Sequence, residues 1–389
     1  MLSSVNETVR YTYRLRPGAV AERTLIAEWH RSRYLWNEAV HQQRSGNKPT
    51  LCKLSKLLTE ARGRSPWLAE GSQVAQQQTL RDYALALNHS FKVKGRRRPK
   101  FKARKVALPS LGYTTRGFSV HDGRLCLPKG VRVPVVWSRE LPSEPTSVRI
   151  YQDSLGDWYA SFVVRREVEP VPPAGGAMIG IDWGVSTTAT TTDPAYDLAY
   201  LGHRKRCAAE LAKVQRKMAR RQRARGQAPT KGYQDARRQA AKLHKKAARQ
   251  NSHDARMWAR RVVADHDVIA IEDFHPRFLA KSTMARKTAD AAIATAKREL
   301  IERGTRAGRE VVLVPPAYTT MTCSSCGARA KLRLELAMRI FRCEYCGFNA
   351  DRDRNAARTI LATAERIRAG VDDVRQLACL PSGGELVAV

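Results

Sequence analysis

Apolar and polar positions alternate along Val9-Arg-Tyr-Thr-Tyr-Arg-Leu15, the pattern of a strand buried on one face, and Pro17 closes it. The period then lengthens. Leu25, Trp29, Tyr34, Trp36 and Val40 recur at roughly helical spacing and predict a helix over 18–43, its aromatic residues serving as core rather than as platforms for bases. More helical sequence follows at 51–62 and 74–92, broken by Gly63 and Ser65-Pro66. Short strands are predicted at Phe118–Val120, Arg124–Leu127, Val131–Trp137 and Ser147–Tyr151. Asp153-Ser-Leu-Gly-Asp157 turns the last of these into a strand over Trp158–Arg166. The simplest assembly is a β-barrel formed by residues 1–17 and 106–170, interrupted by a helical insertion at 18–105.

Pro170, Pro172, Pro173, Gly175 and Gly176 give 167–177 the composition of a linker. Beyond it the pattern changes to strands that are apolar throughout. Met178-Ile-Gly-Ile-Asp182 and Val268-Ile-Ala-Ile-Glu272 are two of these, with a Thr-rich strand at 186–192 and another at Glu310–Val314. Helices are expected at 206–225, where Leu211, Val214 and Met218 form a stripe, and at 233–262, 288–307 and 355–369. The fold class is therefore α+β and multidomain: the barrel, then an α/β domain over 178–317 and 348–370. A cysteine module at 318–347 is inserted in that domain, and 371–389 forms a loose tail.

Charge narrows the function. The 389 residues carry 70 Lys and Arg against 36 Asp and Glu, a formal net charge of +34. A chain so charged attracts polyanions, and phosphate backbones are the expected match, ahead of an anionic membrane surface. The charge is concentrated. Lys92–Lys105 holds nine Lys or Arg and no acid, and His203–Arg261 holds 20 against Glu210, Asp235 and Asp254. Hydrophobic residues make up 43% of the chain, enough for cores, and no apolar run reaches the ~18 residues of a membrane span. The opening residues lack the regions of a secretory leader, so a cytoplasmic protein is expected.

Four of the eight cysteines are regularly spaced, as Cys323-x2-Cys326 and Cys343-x2-Cys346, each pair followed by Gly. Two such knuckles supply four thiolates to a tetrahedral Zn2+, which leaves no open position and makes the metal structural. Paired disulfides are the alternative, disfavoured inside a cell. Cys52, Cys126, Cys207 and Cys379 are scattered and read as ordinary thiols.

Three acids stand where acids are expensive. Asp182 and Glu272 end apolar strands, and Asp353 opens the last helix within Asp351-Arg-Asp-Arg-Asn-Ala-Ala357. Singly each has a bland reading, as a helix cap or a solvated strand end. Together, on a chain built to hold nucleic acid, they suggest a pair of divalent ions about 4 Å apart that hold a scissile phosphate and activate water. Mg2+ suits such oxygen ligands. No phosphate-binding Gly-x4-Gly-Lys-Ser/Thr loop and no nucleophile elbow competes with this chemistry.

Gly180-Ile-Asp-Trp-Gly184, Ile269-Ala-Ile-Glu-Asp273, Tyr318-Thr-Thr-Met-Thr-Cys-Ser-Ser-Cys-Gly327 and Asp351-Arg-Asp-Arg-Asn-Ala-Ala357, in that order, resemble the RuvC-like nuclease of the TnpB family. These are transposon-encoded RNA-guided nucleases related to the compact type V CRISPR effectors. The resemblance implies a RuvC/RNase H-like domain, with Asp182, Glu272 and Asp353 as catalytic acids that hold Mg2+. It implies a target-nucleic-acid-binding zinc ribbon ligated by Cys323, Cys326, Cys343 and Cys346, and a wedge-type barrel with recognition helices in the N-terminal half. Guide RNA and double-stranded target DNA are the implied partners, with no obligatory protein partner and a prokaryotic cytoplasmic setting; pairing with the guide would read the target and the protein a short flanking motif. Trp183 and Met321 depart from the family's usual residues, and neither is a candidate ligand. A compact CRISPR effector with an array-derived guide, a guided binding protein with little cleavage and an unguided junction resolvase are the alternatives.

Overall fold

The computed structural model describes residues 5–47, 49–93, 95–104, 106–168, 172–224, 226–273, 285, 291–330 and 338–370. The expected tail at 371–389, Cys379 and the start of the helix expected at 288–307 lie outside them. The chain divides between Val168 and Glu169 into two compact units.

In the first unit, strand β1 (Val5–Leu15) leads into helices α1 (Ala19–Arg44), α2 (Leu51–Arg64), α3 (Pro66–Ala69) and α4 (Gln73–Lys92). Then come β2 (Ser110–Thr114), β3 (Ser119–His121), β4 (Arg124–Leu127), β5 (Val131–Val136), β6 (Ser147–Gln152) and β7 (Trp158–Val168). All seven strands join one antiparallel sheet in the order β2-β6-β7-β1-β5-β4-β3. The alternation along β1 works as its sequence predicts, with Val9, Tyr13 and Leu15 buried in the core that α1 closes with Leu25 and Trp29. The sheet curls into a half-barrel, and among the described residues its edges β2 and β3 do not pair, so the closed barrel expected from the sequence is not reached. A second core lies among the helices, where Leu35, Leu54, Leu58, Leu80 and Tyr83 meet. Trp29 is buried and Trp36 packs at the edge of this second core, whereas Tyr34 is exposed against Trp67 rather than in a core.

The second unit holds β8 (Met178–Trp183), β9 (Thr187–Thr191), β10 (Leu198–Ala199), β11 (Val268–Glu272) and β12 (Glu310–Val314). They form one sheet in the order β10-β9-β8-β11-β12, the first three antiparallel and the last two parallel to β8. Between β10 and β11 lie α5 (His203–Arg206), α6 (Ala208–Arg220) and the 35-residue α7 (Lys231–Asp265). Helix α8 (Ile293–Arg306) precedes β12. After the cysteine module, whose β13 (Ile340–Arg342) pairs with β14 (Asn349–Asp351), α9 (Arg352–Arg368) ends the described chain. Helix α7 has two partners. Ala236, Ala240 and Leu243 pack on Val214 of α6, while Ala255, Trp258, Ala259 and Val262 enter the core over the sheet. Helix α6 stops five residues short of the expected end, just past Met218, the last α6 residue in the described cluster against α7.

Gly180 determines how α9 meets the sheet. A Cβ there would lie 2.2 Å from the Ala357 carbonyl oxygen and 2.8 Å from the Leu361 Cβ, so only glycine admits the helix. Two residues along a strand and four along a helix each cover about 6–7 Å. Contact of Gly180 with Ala357 therefore brings Asp182 opposite the first turn of α9. Gly180→Ala is expected to lower stability by about 1–3 kcal/mol through overpacking. Gly63→Ala, in helix α2 with open space around it, should instead gain about 0.4–1 kcal/mol. Urea denaturation of both variants checks the pair.

Candidate carboxylate and thiolate sites

Parallel strands β8 and β11 align Ile181 with Ile271, so the next residues, Asp182 and Glu272, leave neighbouring strands at the same end. Both acids are buried. The third arrives on α9. Asp351 caps that helix, accepting from the Arg354 N–H at 2.9 Å, so Asp353 is not needed as the cap. Asp353 instead pairs with Arg352 at 3.1 Å and Arg339 at 3.3 Å.

The electrostatics centre on Asp182. Its carboxyl is pushed well above the usual range, first by burial and then by the charges of Glu272 and Asp353. Arg352 and the Trp183 backbone N–H oppose this. Burial also raises Glu272, against a hydrogen bond from the Thr319 hydroxyl at 2.9 Å and the charge of Lys297, whose ammonium lies 2.7 Å from Asp273. The three carboxylates are neighbours by charge, but their oxygens do not all lie within 4.8 Å of one another. The described group whose ligand atoms all lie within 4.8 Å of one another is the four cysteines.

That group is built from two matching knuckles. Gly327 donates its N–H to the Cys323 carbonyl at 2.9 Å, and Gly347 to that of Cys343 at 3.0 Å, both glycines at positive φ. Sulfur separations of 3.8 Å for Cys323–Cys346 and 3.7 Å for Cys326–Cys343 far exceed the ~2.05 Å of a disulfide. A tetrahedral Zn2+ with bonds of about 2.3 Å spaces its sulfurs about 3.8 Å apart, so the donor set fits.

Several residues around the acids stand in the quoted motifs, but their contacts gave no signal in the sequence. Thr319 reaches Glu272 because Tyr318 adopts φ +68°, the left-handed region, at the turn out of β12. Arg354 clamps Asp197 with two bonds of 2.9 and 2.7 Å and also reaches the Thr191 carbonyl, which fastens α9 to β9. Asn355 is fully buried and bonds the chain on both sides of Cys323.

Basic surface is present in both units. Lys213, Arg216, Arg220, Arg237, Lys242 and Arg249 are exposed on α6 and α7. In the first unit Asn37 holds the Lys102 backbone N–H at 2.7 Å and its carbonyl at 3.2 Å, while the Trp36 indole donates to Lys100 at 2.9 Å. The segment is thereby strapped to α1, with Arg96, Arg97, Arg98 and Arg104 outward. Lys102 is different: its ammonium sits 3.6 Å over Trp36, and burial lowers its pKa to about 8.

A family model described as "Probable transposase" matches residues 161–283, which include Asp182 and Glu272. One described as "Cas12f1-like, TNB domain" matches 295–360, which include the four cysteines and Asp353. A Streptomyces pristinaespiralis protein named "Putative RNA-guided DNA endonuclease" is 33% identical over 314 residues, 79% of this chain and 76% of that protein. The chain belongs to the TnpB/OrfB family. Another relative of this TnpB chain, InsQ of Escherichia coli K12, which bears the same description, is 28% identical over 92% of this chain and 93% of its own length. A Cas12f1 chain solved with sgRNA and target DNA shares the α+β fold at a TM-score of 0.50 and 13% identity, covering 92% of this chain and 98% of that one. No described helix of the TnpB chain is long and apolar enough to cross a membrane.

The carboxylate repulsion has a measurable sign. An acid whose pKa is raised on folding adds no penalty below its unfolded value near 4, and costs stability as pH rises through the folded value. Asp182→Asn should therefore raise the melting midpoint above that of the wild type at pH 8 without divalent ions, by about 2–4 °C per kcal/mol relieved, with the gain shrinking towards pH 5. Melting curves across that range check it.

Proposed function

We propose that this protein is an RNA-guided, Mg2+-dependent DNA endonuclease that hydrolyses phosphodiester bonds at Asp182, Glu272 and Asp353. The observation that carries the reading is the placement of Asp182 and Glu272 at the same end of parallel β8 and β11, with α9 seated on Gly180 so that Asp353 joins Glu272 in opposing the charge of buried Asp182. Such a cluster is costly alone and is stabilised by divalent cations, which suit all-oxygen ligands. Asp182, facing both other acids, would be the shared ligand. Bound there, a pair of ions would polarise the scissile phosphate and stabilise the leaving oxygen. The chain's own residues do the rest. Thr319 orients Glu272, and Gly180 lets α9 bring Asp353 to the strands. Arg339 and Arg352 neutralise Asp353 and stand where a phosphate would approach.

Family membership and the endonuclease names of the two relatives support the activity. The sheet, with three antiparallel strands and two parallel additions, supports a RuvC/RNase H-like domain over 178–317 and 348–370. The cysteine cluster supports a zinc ribbon at 318–347, and the half-barrel supports a wedge formed by 1–17 and 106–170 around recognition helices at 18–105. Guide RNA and target DNA are the partners we assign to the basic surfaces, whose strength would fall steeply with salt.

The deciding experiment is to express the protein with its native flanking DNA and sequence the RNA that co-purifies. A discrete RNA with an invariant scaffold and an end copied from the flank is expected. Repeat-and-spacer RNA would move the protein to an array-derived guide, and cleavage without any specific RNA would sink the guided reading. With that RNA, Asp182→Ala should abolish Mg2+-dependent cleavage while target binding by gel shift stays unchanged. Cys343→Ser should lose the single equivalent of zinc measured by elemental analysis.

A further inference from the structure

Within the first turn of α9, neighbouring side chains leave in different directions. Asp353 and Asn355 are two residues apart, or about 200° around the helix, so they face opposite sides. Asp353 faces the carboxylates. Asn355, fully buried, faces the first cysteine knuckle, where its Oδ1 accepts from the Ser324 N–H at 2.9 Å and its Nδ2 donates to the Thr322 carbonyl at 2.8 Å. Cys323, itself buried, is the residue between these two contacts. One turn on, the Thr359 hydroxyl shares its one proton between the same Thr322 carbonyl at 3.2 Å and the Asn355 carbonyl at 3.0 Å.

We propose that Asn355 is a positioning residue that couples the two sites: it transmits the geometry of the thiolate cluster to α9 and so fixes where Asp353 stands relative to Asp182. The proposal rests on the assignment of the carboxylates as a divalent-metal site. A buried amide gripping both sides of a ligand loop is a stiff link, because each bond left unmade inside the protein costs the desolvation of its partner. On the far side Arg354 grips Asp197, so the turn carrying Asp353 is held from both flanks. Filling the cysteine site then prearranges the carboxylates, although it lies outside the reaction. Residues that orient metal ligands in this indirect way change metal affinity rather than fold.

The test uses the full chain and Mn2+ as the probe, read as the rise in melting midpoint with Mn2+ concentration. Asn355→Ala is expected to need about tenfold more Mn2+ for the half-maximal rise. The Co2+–thiolate absorption of the cysteine site and guided target binding should both match the wild type. Thr359→Val, which keeps the Asn355 bonds, should shift in the same direction by less. Asp182→Ala serves as the reference and should lose the Mn2+ response. If it does not, the carboxylate assignment itself fails. If it does, while Asn355→Ala and Thr359→Val both respond as the wild type, the coupling is overturned and the assignment stands. Loss of the Co2+ absorption in Asn355→Ala with an unchanged Mn2+ response would equally overturn the coupling, by making Asn355 a support of the knuckle alone. Should Asn355→Ala fail to fold, the Thr359→Val shift decides.

Discussion

Like charges held together in a buried place form the constraint on which the second unit depends. Asp182 has Glu272 and Asp353 as electrostatic neighbours, and left to themselves the three would separate. Separation is prevented by packing on elements with no freedom to move. Two carboxylates sit at the ends of hydrogen-bonded parallel strands, and the third rides on a helix seated on Gly180. Stability elsewhere in the sheet core offsets the repulsion, as is common where strain or unfavourable charge has a functional purpose.

The polar contacts around the acids divide the work. Thr319 orients Glu272 and favours its charged form against burial, since a hydroxyl donates one bond without adding charge. Arg339 and Arg352 pair with Asp353, the most accessible corner. At the deepest acid, Asp182, the Arg352 charge and the Trp183 backbone N–H only partly offset burial and the two neighbouring acids.

How much of this was legible depended on whether a residue leaves a periodic trace. Asp182 and Glu272 stood out because an acid at the end of an apolar strand breaks a pattern that is otherwise complete. The cysteines stood out through spacing. Thr319 and Asn355 lie within the motifs that carry the resemblance, but what they grip left no trace, since a polar residue in a turn or first helical turn looks the same whether it grips something or not. Strand β2 was invisible for the opposite reason. Gly112 interrupts it, and only the structure explains that glycine, by the Gln78 side chain 2.7 Å from where a Cβ would stand. The open sheet edge was hidden too, because strand patterns specify which face is buried and not whether the first and last strands meet.

Helix α7 joins two environments along one uninterrupted rod about 50 Å long at 1.5 Å per residue. One half packs in the basic hairpin with α6 and the other is fixed among the residues above the sheet, so the rod sets the spacing between that basic surface and the sheet. Its length is quantised. Adding one residue at its middle would swing the whole charged half by about 100° relative to the sheet, whereas adding a full turn would only move it outwards. The number of residues between the two halves therefore fixes their relative orientation, independently of which side chains the exposed face carries.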